Sequence, residues 1–188
     1  MRACSHAQSS EPSVARSSWS SRSPPDVEAK VVHADESRRI ALYDVAFRYG
    51  VGAEETAGAI SMLEVSIPPR TLIKPHAHSR EDEFTLVLEG SVGARLGDQT
   101  VEQIAAGSWL VKPRSVPHAM WNVGDKPARI LEVVTPGGIE RYFEQIAPIL
   151  KEHGPDWTNR YNALADEFGL TILDDWTDEL KEKYGVQL

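Results

Sequence analysis

Gly and Pro divide residues 60–136 into apolar segments of four to eight residues, none with the length and period of a helix. Short strands at this spacing are typical of a sandwich or barrel. An α/β fold is disfavoured, because its parallel strands need helical connections. We therefore predict an all-β domain, a meander or Greek-key barrel. The candidate strands are 39–43, 60–67, 70–76, 83–89, 91–96, 99–104, 108–111, 118–122 and 129–135, with Gly97-Asp98 as a two-residue hairpin turn.

The chain divides into three zones. Residues 1–26 are rich in Ser and Arg and hold too little apolar surface to offset the entropy of ordering, so we predict a disordered tail. Residues 27–136 form the barrel. Residues 137–188 turn helical, with helices over 139–150 and 157–168. A third helix is expected to begin at Thr177 as N-cap and to end before Gly185. We expect these helices to pack outside the barrel or on a partner subunit.

Charge and cysteine content limit the partners. The formal net charge of -8 argues against nucleic acid or an anionic membrane as the main partner. Cys4 is the one cysteine, so no disulfide can form within the chain, which suits a reducing compartment. No apolar run approaches the ~20 residues of a membrane span. We therefore expect a cytoplasmic protein.

Three histidines and one glutamate carry the chemistry. His76 and His78 are two apart at the end of a predicted strand, so both imidazoles project to the same face. Glu83 begins the next strand and can fold back to face them, and His118 follows a bend stiffened by prolines. Neutral imidazoles and one carboxylate suit a divalent Ni, Fe, Mn, Co, Cu or Zn ion. Four such ligands leave coordination positions open, which favours a catalytic site over a structural one.

The same residues carry a family resemblance. The spacing over residues 57–136 resembles the two motifs of the cupin superfamily, matched here by His76, His78, Glu83 and Gly90, then Gly107, Pro113, His118 and Asn122. The resemblance implies a jelly-roll type cupin barrel with C-terminal helices packed outside. It also implies that His76, His78, Glu83 and His118 bind one metal. Ser108 and Ser115 depart from the family pattern, which affects loop geometry more than the ligands.

A narrower resemblance concerns the flanks of the barrel. Segments 52–58, 61–64 and 135–143 are similar to small bacterial cupins of the quercetin 2,3-dioxygenase type. This implies a homodimer and a dioxygenase acting with O2 on a flavonol-like or other enolisable hydroxy-ketone, with Glu83 also accepting the substrate proton. Two alternatives stay open. One is an isomerase, lyase or cyclase that uses the metal as a Lewis acid, and the other is a non-enzymatic cupin that binds a small ligand.

Strand alternation predicts which side chains surround the small-molecule substrate. The predicted pocket residues are Lys74, Thr85, Val87, Met120 and Asn122, each on the face of a ligand. Val87 and Met120 would line an apolar cavity or fill the barrel. Lys74 would steady an anionic substrate or be solvated, and Asn122 is also suited to hydrogen-bonding a loop.

Overall fold

The structure is a computed structural model, and it describes residues 27–152, 154 and 156–188. The tail predicted for residues 1–26 lies outside this part. The described elements are β1 (Arg39–Leu42), β2 (Val45–Val51), a 3-10 helix (Glu54–Thr56), β3 (Ser61–Ile67), β4 (Thr71–His78), β5 (Asp82–Glu89), β6 (Ser91–Leu96), β7 (Gln99–Ala105), β8 (Trp109–Lys112), β9 (His118–Asn122), β10 (Ala128–Thr135), α1 (Ile139–Glu152), α2 (Trp157–Glu167), β11 (Leu170–Ile172) and α3 (Asp174–Tyr184).

The strands form two antiparallel sheets. One has the order β1-β2-β3-β10-β5-β8 and the other β11-β4-β9-β6-β7. From β3 to β6 and again from β7 to β11, successive strands alternate between the sheets. Strands β9 and β10 return to lie between earlier strands, as in a jelly roll. Along β3, residues are alternately buried and half-buried, and Leu63, Val65 and Ile67 enter the core. The all-β jelly-roll prediction is confirmed.

Two strands escaped the sequence prediction. β2 carries the alternation that predicts a strand, with Val45, Phe47 and Tyr49 buried, but residues 44–51 were not assigned to one. β11 has three residues, too few to show a period, and it pairs with the outer edge of β4. The segment 137–188 is therefore not purely helical, because it adds a strand to the sheet that carries His76, His78 and His118.

The turn and helix predictions had mixed outcomes. Leu96 pairs with Gln99, so Gly97-Asp98 is the two-residue hairpin turn that was predicted. Helix α3 begins at Asp174, so the assignment of Thr177 as its N-cap is wrong. Asp174 and Asp175 occupy the first turn, where carboxylates interact favourably with the helix dipole. Thr177 lies inside the helix and its hydroxyl donates a hydrogen bond to the Leu173 carbonyl at 3.1 Å.

The helices pack on the barrel in two places. Apolar residues of α1 and α2 join the core cluster that fills the barrel, among them Ile146 and Leu164. Helix α3 covers the outside of the second sheet, where Leu180 packs with Trp121. Within the described ranges 27–152, 154 and 156–188, no helix combines the length and apolar character needed to cross a membrane.

Glu140 fastens the start of α1 to the barrel. Its carboxylate accepts hydrogen bonds from the Ser61 hydroxyl at 2.6 Å and from the Ala53 amide at 2.8 Å. Desolvation acts to raise the pKa of Glu140, but these hydrogen bonds outweigh it and hold the pKa below its ordinary value. A carboxyl with a lowered folded-state pKa contributes stability above its unfolded pKa, and this contribution is lost as the pH falls through the folded pKa.

We expect Glu140→Gln to lower the free energy of unfolding at neutral pH by about 1–2 kcal/mol, because a buried donor loses its charged acceptor. The variant should also lose less stability than the wild type when the pH falls below the ordinary glutamate pKa of 4.5. Urea unfolding at several pH values measures both effects. Glu144→Gln, which removes an exposed ion pair with Arg38 from the same helix, is the control with the smaller expected effect. Equal acid sensitivity of Glu140→Gln and wild type would contradict the assignment.

Gly93 makes room for a buried tryptophan. A Cβ atom at Gly93 would lie 2.2 Å from Nε1 of Trp121, and Trp121 is fully buried under α3. We expect Gly93→Ala to destabilise the fold by about 1–3 kcal/mol, the usual effect of overpacking a core. Gly50→Ala is a matched strand control, since its Cβ would make only an ordinary 3.6 Å contact. Thermal unfolding measures the difference, and an unchanged Tm for Gly93→Ala would show that Trp121 moves freely.

Candidate metal centre

Three strands bring the predicted ligands together. His76 and His78 lie on β4, His118 on the neighbouring β9, and Glu83 on β5 of the opposite sheet. His76 and His118 are direct cross-strand partners. One ligand atom from each of the four residues lies within 4.8 Å of the others. The sequence-predicted set is therefore assembled in one place, inside the barrel.

Outer hydrogen bonds orient the three imidazoles. Nδ1 of His76 lies 2.6 Å from the Lys74 carbonyl, and Nδ1 of His118 lies 3.0 Å from the Val116 carbonyl. Nδ1 of His78 lies 3.3 Å from the Glu81 carboxylate. A proton on each Nδ1 satisfies these acceptors and leaves each Nε2 lone pair facing inward, the tautomer that a metal ligand needs.

The inward atoms fit a bound cation. Nε2 of His118 lies 3.0 Å and Nε2 of His78 lies 3.4 Å from the Glu83 carboxylate. Both nitrogens are buried, and neither forms a hydrogen bond with any residue that the structure describes. A buried polar atom without a partner is unfavourable unless a ligand satisfies it. Three nitrogens and one carboxylate match the preferences of a divalent transition ion, so this cluster can hold one.

The electrostatic surroundings favour neutral His76 and His118. Burial lowers the pKa of His76 well below its ordinary value, and His118 and His78 lower it further. Burial also lowers the pKa of His118, although Glu83 opposes the effect. Desolvation acts in the same sense on His78, but Glu83 and Glu81 outweigh it and raise the pKa of this imidazole. Neutral imidazole is the form that binds metal, so burial keeps His76 and His118 in the protonation state that a ligand needs.

A buried lysine joins Glu83 to a second carboxylate. Nζ of Lys112 lies 2.9 Å from Glu83 Oε2 and 2.9 Å from Glu132 Oε1. The Thr85 hydroxyl lies 3.0 Å from both Glu132 oxygens and donates to that carboxylate. All four side chains are buried. Lys112 therefore holds Glu83 in place and partly neutralises two carboxylates that water does not reach.

The two carboxyls have different pKa values although Lys112 lowers both. Desolvation acts to raise the pKa of Glu83, but Lys112 and the histidines hold it well below its ordinary value. For Glu132 desolvation prevails over Lys112 and, together with the charge of Glu83, raises its pKa to about 7. Glu83 is thus the ionised member, as a metal ligand must be.

Sequence reasoning missed Lys112 and Glu132, although a weak signal was present. Each is a charged residue inside an apolar strand, Trp-Leu-Val-Lys112 on β8 and Ile-Leu-Glu132-Val-Val on β10. Their connection depends on sheet order, since β5 lies between β10 and β8 and pairs Glu83 with Lys112 and Thr85 with Glu132. Neither register could be read from the sequence.

A cavity of about 120 Å³ reaches the cluster. Lys74 and Met120 line it, as predicted for pocket residues. Thr85, Val87 and Asn122 are not among its lining residues. Thr85 binds Glu132 instead, and Val87 packs in the barrel core. The Asn122 amide donates to the carbonyls of Ile67 and Lys126, so it fastens a loop, which was the alternative considered for it.

Much of the cavity wall comes from elements that carry none of the four ligands. Helix α1 contributes Tyr142, Phe143, Ile146 and Leu150. Further lining residues come from α2, β11 and the β1–β2 hairpin. These residues are almost all apolar, whereas the His/Glu cluster is polar. The cavity therefore combines a polar metal-ligand cluster with an apolar body, an arrangement typical of small-molecule sites.

Comparison with known proteins agrees with the geometry. Residues 63–134 match the model of the cupin domain family. The chain is 32% identical over 77 residues to germin-like protein 9-3 of Oryza sativa subsp. japonica, covering 39% of this chain and 36% of that protein. It is 30% identical over 76 residues to the H2HPP isomerase of Bacillus subtilis, covering 40% and 32%. The chain thus spans about a third of the length of these curated relatives.

The fold comparison covers more of the chain. The structure of KdgF from Halomonas sp. superposes with a TM-score of 0.54 at 13% identity, over 61% of this chain and 99% of that one. At this identity the match concerns the fold. The jelly-roll topology, the four clustered ligands and the matched domain agree with one another. Residues 63–134 thus match the cupin domain family, and this domain carries a site able to hold one divalent metal ion.

Proposed function

We propose that this protein is a metal-dependent dioxygenase acting on a small enolisable hydroxy-ketone. The observation that carries the proposal is the position of the His/Glu cluster at the polar end of an otherwise apolar cavity. A substrate bound there would place its oxygen atoms at the cluster and its carbon skeleton against apolar walls. The relatives named above include an enzyme, which supports a catalytic role without identifying the reaction.

Each part of the site has a defined task in this proposal. His76, His78 and His118 fix the geometry through their inward nitrogens. A divalent ion held by them supplies Lewis acidity, which lowers the pKa of a coordinated substrate hydroxyl. Glu83 completes the ligand set and is placed to accept the proton that the hydroxyl loses. Lys112 keeps Glu83 ionised and aimed at the cluster.

The apolar cavity also contributes. Side chains such as Met120, Ile146 and Leu150 keep water from the bound skeleton. Exclusion of water strengthens electrostatic interactions at the cluster and protects a carbanion-like enolate from protonation. An enolate shielded in this way is a suitable reactant for O2, which itself enters apolar cavities readily.

Oxygen consumption tests the proposal. The protein would be loaded separately with Ni, Fe, Mn, Co, Cu and Zn and incubated without oxygen with a panel of hydroxy-ketones, from single-ring compounds to flavonols. Addition of isotopically labelled O2 should start oxygen uptake in at least one metal form, with both labelled atoms recovered in the product. Absence of uptake in every metal form would overturn the proposal.

A second candidate is an isomerase that needs no oxygen. The similarity to the H2HPP isomerase of Bacillus subtilis favours it, because isomerisation of an enolisable substrate needs the same proton transfer and Lewis acid. The two candidates separate in the anaerobic stage of the same experiment. Substrate conversion before oxygen is added would select the isomerase.

The homodimer implied by the family resemblance stays a prediction. The exposed Trp109 and Val111 lie on β8, an edge strand of the larger sheet. Exposed apolar residues on an unpaired edge are typical of a contact surface. Sedimentation velocity on the full chain would measure the oligomeric state.

A further inference from the structure

The part of the cavity wall that α1 and α2 form lies outside the matched cupin domain. Tyr142, Phe143 and Ile146 come from α1 and Tyr161 from α2, whereas the domain match ends at residue 134. Phe143 also packs against Phe47 in a tilted arrangement with ring centroids 4.7 Å apart, so the wall is a packed surface. The shared barrel therefore provides the ligands, and the C-terminal extension shapes the space that a substrate fills.

The cavity offers no free cation. Among the residues the structure describes, no arginine lines it, and both lining lysines are paired. Lys74 lies 3.0 Å from Asp174 and 5.0 Å from the ring centroid of Tyr161. Lys112 is shared by two carboxylates. A substrate carboxylate remote from the cluster would be buried without a partner, which is strongly unfavourable.

The tyrosines of the wall do not supply charge. Burial raises the pKa of Tyr142 to about 12, and that of Tyr161 is raised as well. Their side chains hydrogen-bond each other. Both phenols are therefore neutral at physiological pH, and the wall presents apolar surface with one paired polar group.

The volume limits the size of the guest. The cavity measures about 120 Å³, whereas an engineered apolar cavity of about 150 Å³ holds one benzene molecule. This volume matches one small ring with a few substituents, whereas a flavonol has three rings and exceeds it.

We infer that the α1 and α2 wall makes the site selective for an uncharged, single-ring hydroxy-ketone and excludes three-ring flavonols and rings that carry a carboxylate remote from the cluster. The inference rests on the proposed function for the oxygen-bearing end of the substrate. It goes beyond that function by assigning selectivity to residues outside the cupin domain.

Binding tests the inference without turnover. The metal-loaded full chain would be titrated calorimetrically under nitrogen with maltol, a single-ring hydroxy-ketone, with flavonol, and with comenic acid, a similar single ring that carries a carboxylate away from its hydroxy-ketone group. We expect maltol to bind at least about tenfold more tightly than either of the others, since size and charge each discriminate by factors of this order. Flavonol or comenic acid binding as tightly as maltol would overturn the inference.

Two variants locate the selectivity. Phe143→Ala enlarges the cavity and should raise the affinity for flavonol at least about tenfold relative to maltol. Misfolding of the variant cannot produce a gain in affinity. Leu180→Ala is the control, because Leu180 is a buried apolar residue of α3 that packs against Trp121 and does not line the cavity. An unchanged flavonol-to-maltol ratio in Phe143→Ala would overturn the assignment to α1. Selective binding of maltol without oxygen uptake would support the inference and overturn the proposed dioxygenase. Oxygen uptake by a protein that binds flavonol as tightly as maltol would support the dioxygenase and overturn the inference.

Discussion

His76→Ala is expected to lower metal affinity by more than about 100-fold, because it removes one of four ligands. Loss of a residue that only hydrogen-bonds a metal ligand already lowers metal affinity by about 10–100-fold. His76 is the least buried of the four, so its loss disturbs packing least. Its Nδ1 contact with the Lys74 carbonyl is the one hydrogen bond described for its side chain. Elemental analysis after dialysis and competition with a chelator measure the effect.

The control for this variant is His33→Ala. His33 is an exposed histidine that lies outside the cluster, so its removal tests whether metal binds to surface imidazoles. We expect stoichiometric metal in His33→Ala and in the wild type. Circular dichroism would show whether His76→Ala retains the strand signal. A folded His76→Ala that keeps stoichiometric metal would contradict the ligand assignment.

The ligands were predictable because their geometry is largely local. His76 and His78 share a strand face through the two-residue period, and Glu83 follows after one turn. His118 is less local, since its position beside His76 depends on β9 returning between β4 and β6. The barrel topology was likewise indicated by short alternating strands.

The rest of the site depends on contacts between distant segments. Lys112 and Glu132 meet Glu83 and Thr85 only because β8 and β10 flank β5. The apolar wall depends on how α1 and α2 dock, which helical periodicity does not specify. Three pocket residues predicted from strand parity, Thr85, Val87 and Asn122, do not line the cavity, because alternation gives the inward face without giving depth along the barrel.

Lys112→Met is expected to have the largest effect on stability. The substitution keeps the apolar stem and removes the ammonium, leaving Glu83 and Glu132 buried without their shared counter-ion. Breaking a buried ion pair from one side destabilises proteins by about 3–5 kcal/mol. Protonation of Glu132, whose pKa is already raised to about 7, relieves part of this penalty. Denaturant unfolding at neutral pH measures the loss.

The same variant should bind metal about 10–100-fold more weakly, because Glu83 loses the group that holds it. Lys126→Met, an exposed lysine, is the control expected to change neither stability nor metal affinity appreciably. Adding Glu132→Gln to Lys112→Met removes the unpaired second carboxylate, so it should recover part of the stability while metal affinity stays low. Recovery of stability without recovery of metal affinity would separate the two roles of Lys112, which are to neutralise Glu132 and to orient Glu83. If Lys112→Met matched Lys126→Met in both measurements, the buried network would not support the metal centre.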